Sequence, residues 1–331
     1  MGSSRKGIAI LKSIAIGIVL ALTLVSVFAL GAYLRDIGQA YERVQGQSTI
    51  LTSPFGDIEY TEIGSGIPVL VIHGAGGGYD QGELIARTVL DERFRWIIPS
   101  RFGYLGSTLP EGAAWDEQAD AYAYLLDHLG IANVAVVAMS QGGPSALLFS
   151  VLHPERVSSL TCLSCGVVNS ATADQAQADQ KGNTLKALFK VDAPFWIVSK
   201  LFKRQLMVLI GADEKVIGPL TPPQRDSIGQ LIEHMNPASL RAKGVAFDNE
   251  ATLPGARISA IKAPTLLFHA EDDGLQLYHN AEFAASTIPE ARLVSFKSGG
   301  HIVTIVEQTI IREMLQEYIL DRGSEPEAAG T

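Results

Sequence analysis

Strand-like and helix-like runs alternate along most of this chain. The segment "GDIEYTEIG" (Gly56–Gly64) switches between polar and apolar positions, the period-two pattern of a half-buried strand. "IPVLVIHG" (Ile67–Gly74), "FRWIIPS" (Phe94–Ser100), "ANVAVVAMS" (Ala132–Ser140), "VSSLTCLSC" (Val157–Cys165), "APTLLFHAEDD" (Ala263–Asp273) and "ARLVSF" (Ala291–Phe296) are apolar runs that end in loop residues, as buried strands do. Between them, "GELIARTVLDE", "WDEQADAYAYLLDHLGI", "GGPSALLFSVLHP", "LYHNAEFAAST" and "TIIREMLQEYILDR" carry helical spacing. In the second of these, Ala119, Tyr122, Ala123, Leu126 and Leu129 share one face. Strands apolar on both faces, alternating with helices, predict a parallel sheet covered on both sides. Reactive groups in such a sheet gather beyond the carboxyl ends of the strands.

The alternation stops near Val167 and resumes near residue 258. The stretch 167–257 is helical and loop-like, with the amphipathic segments "LKALFKV", "PFWIVSKLFKRQLMVLIG" and "DSIGQLIEHM". One sheet domain, 55–166 and 258–322, is therefore expected to carry a helical cap, with a disordered tail at 323–331. About half of the cap residues Phe189, Phe195, Trp196, Ile197, Leu201, Phe202, Met207 and Leu209 are expected in the cap's own core; the others would form an apolar lid. At the other end, Ser13–Leu34 carries no charge and is long enough to cross a bilayer as a helix. Arg5, Lys6 and Lys12 precede it, so residues 1–35 read as an anchor with the N-terminus in the cytoplasm and the rest outside. A signal peptide cleaved near Ala29-Leu30-Gly31 is the rival reading. Residues 36–54 read as a polar linker.

With 47% hydrophobic and 18% charged residues, the 331-residue chain can bury a large core. A net charge of −9 and the lack of a Lys/Arg cluster argue against nucleic acid as a partner. Cys162 and Cys165 are the two cysteines, but no second Cys or His group completes a metal site, and the segment reads as buried strand. They are expected to be inert thiols.

Ser140 ends an apolar run and precedes a helix, with Ala138 and Gly142 two residues away on either side. A nucleophile on a tight strand-to-helix turn needs small residues there, so that strand and helix approach without collision. A helix N-cap serine explains the same pentapeptide equally well. A nucleophilic serine needs a base, and the base an orienting acid. His301 lies on the glycine-rich loop after "ARLVSF", and Asp273 just past "APTLLFH". All three residues follow different strands. The glycines of "VIHGAGGGYD" leave backbone N–H groups exposed, without the Lys-Ser/Thr of a phosphate loop. The amides of Ala75 and Gln141 are the expected oxyanion donors.

On these motifs the chain resembles the α/β-hydrolase family over Phe55–Arg322: "HGAG" at His73–Gly76, "SRFGYLGS" at Ser100–Ser107, "AMSQGG" with "HPERV" behind it, "IKAPTLLFHAEDD" and "GGH". The resemblance implies an eight-stranded, mostly parallel sheet with helices on both faces and a helical cap inserted after the sixth strand. It also selects Asp273 over Asp272 as the acid. Two departures stand out: Ala138 replaces a common glycine, and Ser100 stands where many members carry Asp. Arg101 reads as half of a structural ion pair, with binding of an acidic substrate group as the alternative. A serine rather than an aspartate at the elbow points to acyl transfer to water, which needs no metal or cofactor. The leading expectation is a serine esterase acting on an apolar ester, acylglycerol-like in kind, with the cap against a membrane surface through Lys200, Lys203 and Arg204. A carbon–carbon bond hydrolase of a ring-cleavage product and a non-catalytic binding module are the alternatives. Oligomeric state is open.

Overall fold

The runs without polar interruption become the middle of a sheet. In the computed structural model, which describes residues 2–323, helix α1 (Gly2–Val44) leads into strands β1 (Thr49–Ser53), β2 (Gly56–Ile63) and β3 (Ile67–Ile72). Helix α2 (Tyr79–Val89), β4 (Phe94–Pro99), α3 (Trp115–His128), β5 (Val134–Met139), α4 (Gly143–Leu152) and β6 (Val157–Leu163) follow. Then come α5 (Ala173–Leu188), α6 (Asp192–Leu201), α7 (Lys203–Leu209), α8 (Glu214–Ile217), α9 (Pro222–Glu233) and α10 (Ala242–Glu250). The chain closes with β7 (Thr265–Ala270), α11 (His279–Thr287), β8 (Arg292–Phe296), α12 (Val303–Val306) and α13 (Gln308–Gly323).

The eight strands form one sheet in the order β1-β2-β4-β3-β5-β6-β7-β8, and only β2 runs against its neighbours. Alternation within the central strands divides the core in two. Leu70, Ile72, Val136 and Ala138 pack on one face against Trp115 and Leu126 of α3 and Leu147 of α4. Val69, Val71, Ala135 and Val137 pack on the other face against Ile85 and Val89 of α2 and Leu315 and Ile319 of α13. Every residue of β5 and β7 is buried, which is why β5 shows no polar residue in sequence and β7 only Thr265 and His269.

Residues up to Arg43 form one unit and the described residues from Val44 onward form a second. The stretch Leu11–Val44, all but its last residue in the first unit, belongs to a helix long and apolar enough to cross a membrane. The expected linker, 36–54, is instead structured. Helix α1 runs through its first half until Gly46, at φ 70°, takes the left-handed conformation that ends helices. The second half forms β1, which pairs with β2 across a two-residue turn. Strand β1 is a short, half-exposed edge strand, so it lacks the apolar contrast that marks the inner strands. The expected disordered tail lies outside the described residues, apart from Gly323, which ends α13.

The six helices α5–α10 fill the interval between β6 and β7 and share a third apolar cluster. Phe189, Phe195 and Met207 are buried in it, whereas Ile197, Leu201 and Phe202 face outward. Tyr104 and Ile302, from loops at the carboxyl edge of the sheet, join the same cluster. The helical insertion thus does not separate as a unit of its own.

Candidate active site

Ser140 follows the last residue of β5, and its backbone sits at φ 53°, in the left-handed region that a serine adopts at a cost of about 1–2 kcal/mol. The turn is held by close approach. A Cβ on Gly142 would lie 2.6 Å from the His73 carbonyl oxygen and 2.7 Å from that of Ile72, both backbone atoms that cannot swing away. Ala138 is fully buried within β5, paired with Ile72 and Cys162, so the methyl in place of the commoner glycine is accommodated. No side-chain cap bond is made at this helix start, so the serine does not serve as an N-cap.

Its hydroxyl donates instead to His301 Nε2 at 2.8 Å. His301 Nδ1 in turn donates to Asp273 Oδ2 at 2.8 Å. The carboxylate fixes the tautomer: with the proton on Nδ1, Nε2 is left as an acceptor facing the serine. All three residues are buried. The loop after β8 needs Gly300, which has φ 54° and whose Cβ would lie 2.7 Å from the Gly211 carbonyl oxygen. Asp273 Oδ1 accepts the Leu275 and Gln276 N–H groups at 2.9 and 3.0 Å, which aims Oδ2 at the imidazole. Asp272 has a different task. Its two oxygens accept from Gly300 N (2.7 Å) and Ser298 Oγ (2.6 Å), and so brace the loop that carries His301. Behind the pair, His269 Nε2 lies 2.7 Å from the Gln276 carbonyl oxygen and 3.5 Å from Asp273 Oδ2, and burial lowers its pKa.

Ala75 lies in the loop after β3, and its amide has no acceptor among the described residues. Gln141 follows Ser140 in the first helical turn, where backbone N–H groups lack intrahelical partners. The loop carrying Ala75 is anchored by His73, whose Nδ1 donates to the Gly74 carbonyl at 2.7 Å while Nε2 accepts the Arg101 N–H at 3.0 Å. Burial and the neighbouring Arg101 guanidinium hold the pKa of His73 well below its ordinary value, so the ring stays neutral. Arg101 also donates through Nε to the His73 carbonyl at 2.9 Å. Its other nitrogens grip Asp248 of α10 in a fully buried fork, 2.7 Å on each arm, and Tyr104 shares that carboxylate. Arg101 is therefore spent on an ion pair. A second fork, Arg241 to Asp80, also links the helical insertion to this loop, and Arg241 adds a bond to the Gly77 carbonyl.

Ser100, the other departure, donates to Glu59 Oε2 at 2.8 Å, and Glu59 also accepts Ser48 Oγ and the Gly106 N–H. A carboxylate from β2 thus supports the loop. Sequence reading missed Glu59 because it sat in an alternating strand, and missed Asp80 and Asp248 because their partners lie 161 and 147 residues away. Cys162 and Cys165 are free and buried, and burial pushes the Cys165 thiol up, away from reactivity.

Ser140 and His301 open onto a cavity of about 60 Å³ walled by Met139, Leu185, Phe189, Ile210, Leu231 and Val245, among others. A serine hydroxyl held against an acceptor imidazole, beside unpaired amides and an apolar pocket, can attack a carbonyl carbon.

A family model of the alpha/beta hydrolase fold matches residues 67–308. An uncharacterized hydrolase, YcgS, of Bacillus subtilis is 28% identical over 276 residues, 76% of this chain and 91% of that protein. The 2-hydroxy-6-oxo-6-phenylhexa-2,4-dienoate hydrolase of Comamonas testosteroni is 27% identical, covering 74% and 84% respectively. Among solved structures, an alpha/beta hydrolase fold protein from Nakamurella multipartita superposes with a TM-score of 0.62 at 26% identity, over 84% of this chain and all of that one.

Proposed function

The chain belongs to the α/β-hydrolase fold family, and within it we propose a serine hydrolase that cleaves a carboxylic ester with a small acyl group. The observation that carries this reading is the hydrogen-bonded chain from Ser140 through His301 to Asp273 at the mouth of an apolar cavity. In the proposed reaction His301 Nε2 takes the Ser140 proton as Oγ attacks the carbonyl carbon. Asp273 stabilises the imidazolium, and the Ala75 and Gln141 amides receive the oxyanion. His301 then returns the proton to the departing alcohol, and water, activated by the same base, releases the acid. The acyl group is small because a site for one water takes roughly 10–15 Å³, so a 60 Å³ cavity holds only a few heavy atoms.

A second reading, hydrolysis of a carbon–carbon bond, draws on the dienoate hydrolases among the relatives. Their named substrates are carboxylates, and a buried carboxylate needs a cation or several donors. The cavity wall contains no Lys or Arg among the described residues, and the buried Arg101 and Arg241 are bound to Asp248 and Asp80. That contrast favours the ester. The N-terminal helix is proposed as an uncleaved anchor, with the hydrolase unit outside, because Arg5, Lys6 and Lys12 precede the apolar stretch.

The test is labelling by a fluorophosphonate together with turnover of an acetyl-to-octanoyl ester series, in wild type and Ser140→Ala. Labelling and turnover lost in the variant, with the shorter esters preferred, are expected. Ester turnover that survives the substitution would remove Ser140 from its role, and no turnover of any ester would leave the carbon–carbon reaction as the working reading.

A further inference from the structure

Beside the apolar cavity lies a second one, of about 300 Å³ and opposite chemistry. Leu275 lines both, and Gln141, next in sequence to Ser140, lines the second. Gln141 and Gln276 contribute to its wall from the sheet domain, and Asn169, Gln175, Asp179 and Asn183 from the segment that follows β6. Most of these groups are neutral amides, which donate and accept equally. The charged side chains around them are occupied. Asp179 accepts from Gln175 Nε2 at 2.8 Å, Lys181 donates to the Gly274 carbonyl at 2.7 Å, and the Asp248 carboxylate is held by Arg101 and Tyr104. Two buried amide oxygens, Gln141 Oε1 and Gln175 Oε1, have no donor among the described residues. Such orphaned acceptors are uncommon in folded proteins and call for a partner.

An ester held at Ser140 has two arms that diverge from one carbonyl carbon, and the two cavities diverge from one shared residue. We infer that the second cavity seats the alcohol half of the substrate and takes a neutral polyhydroxylated alcohol. This inference rests on the ester reading of Ser140. Hydroxyl groups both donate and accept, so they match an amide-lined wall, whereas an alkyl alcohol would leave those amides without partners. An anionic alcohol would find no unengaged cation among the described residues, and a cationic one would have Asp179 alone, since Asp248 is neutralised by Arg101; the choline probe below reads that case. The reaction balances without a co-reactant. The Ser140 Oγ–acyl bond forms, the ester C–O bond breaks, and the serine proton passes through His301 to the leaving polyol oxygen.

Two measurements on the full chain, in a sugar-free detergent, test this. Saturation-transfer NMR with glycerol, 1-propanol and choline as probes reads binding without catalysis. Transfer to glycerol should exceed transfer to the other two, and its apparent affinity should fall about two- to tenfold in Gln175→Leu and in Asn183→Leu, one lost hydrogen bond in each case. Both residues are on partly or fully exposed positions of α5, so neither substitution touches the core. In parallel, the kcat/KM ratio of glyceryl to propyl esters of one acyl group should exceed one in wild type and drop by the same factor in the variants. Glycerol transfer equal in wild type and variants, or preferred transfer to choline or propanol, would overturn the inference. Glycerol binding that falls in the variants while no ester is hydrolysed would leave the polyol site standing and sink the ester reading alone.

Discussion

Replacing Asp273 by Asn tests the proposed triad at the atom that decides its protonation. Asp273 Oδ1 accepts two backbone N–H groups, from Leu275 and Gln276. In the variant, those two donors can be satisfied only by the amide oxygen, so the NH₂ group must occupy the Oδ2 position facing His301 Nδ1. An imidazole facing a donor presents a bare Nδ1 and carries its proton on Nε2. It then has no lone pair for the Ser140 hydroxyl, 2.8 Å away, and cannot act as base. An equivalent tautomer inversion in a serine protease lowers kcat by about 10⁴, which corresponds to roughly 5.4 kcal/mol of transition-state stabilisation. Asp272→Asn provides the control. The Asn oxygen can keep the bond to the Gly300 N–H, and the Ser298 hydroxyl can rotate to accept from the NH₂, so only loop bracing weakens. We expect about a tenfold loss there, on the scale of one hydrogen bond at 0.5–1.5 kcal/mol. The assay is kcat/KM on a short-chain ester at neutral pH, with urea unfolding to confirm that both variants are folded. Asp273→Asn within tenfold of wild type, or Asp272→Asn the more damaged of the two, would refute the reasoning.

Three further outcomes follow from the same geometry. Ser140→Gly should unfold at higher urea than Ser140→Ala by an amount equal to about 1 kcal/mol, since glycine adopts φ 53° without strain; equal midpoints would mean that no strain resides there. Asp248→Leu should cost about 3–5 kcal/mol by stranding the buried Arg101 guanidinium, whereas Arg101→Met with Asp248→Leu should cost less than the single change; a double variant worse than the single would show that the fork itself is stabilising. His73 is held neutral, with a pKa well below the ordinary 6.5, so the unfolded chain binds a proton below about pH 6.5 that the folded chain does not. Stability should then fall as pH drops through that window, at up to about 1.4 kcal/mol per unit from this residue, and urea unfolding of His73→Gln should show a shallower slope. An unchanged slope would remove His73 from the titration.

The inner strands could be read in sequence because burial on both faces leaves few polar positions to confuse the pattern, as in Val134–Met139, which has none. Edge elements could not. Strand β1 has the burial of a surface loop and becomes a strand only through its pairing with β2. The turn at Ser140 was legible through Ala138 and Gly142, since small residues record close approach even when the approaching backbone, here His73 and Ile72, is unknown. Choosing between Asp272 and Asp273 required the resemblance. The physical basis of the choice is the direction of the Leu275 and Gln276 amides, which residue identity does not encode. The ion pairs that brace the loop after β3 were invisible for a simpler reason: a single Arg or Asp far from its partner looks like any solvated charge.

Those pairs also change what the helical insertion does. Arg241 reaches from it to Gly77 and Asp80 at one end of the loop that carries Ala75, Asp248 holds Arg101, which bonds to His73 at the other end, and the Gly211 carbonyl, just past α7, accepts the N–H groups of both His301 and Gly274. The insertion therefore fixes the proposed oxyanion loop and the loops of the proposed base and acid, in addition to covering them. Rigid supports of this kind remove the reorganisation that a polar site would otherwise undergo as charge develops. Breaking two buried forks to lift the whole insertion would cost several kcal/mol, so substrate entry by opening it as one body is disfavoured.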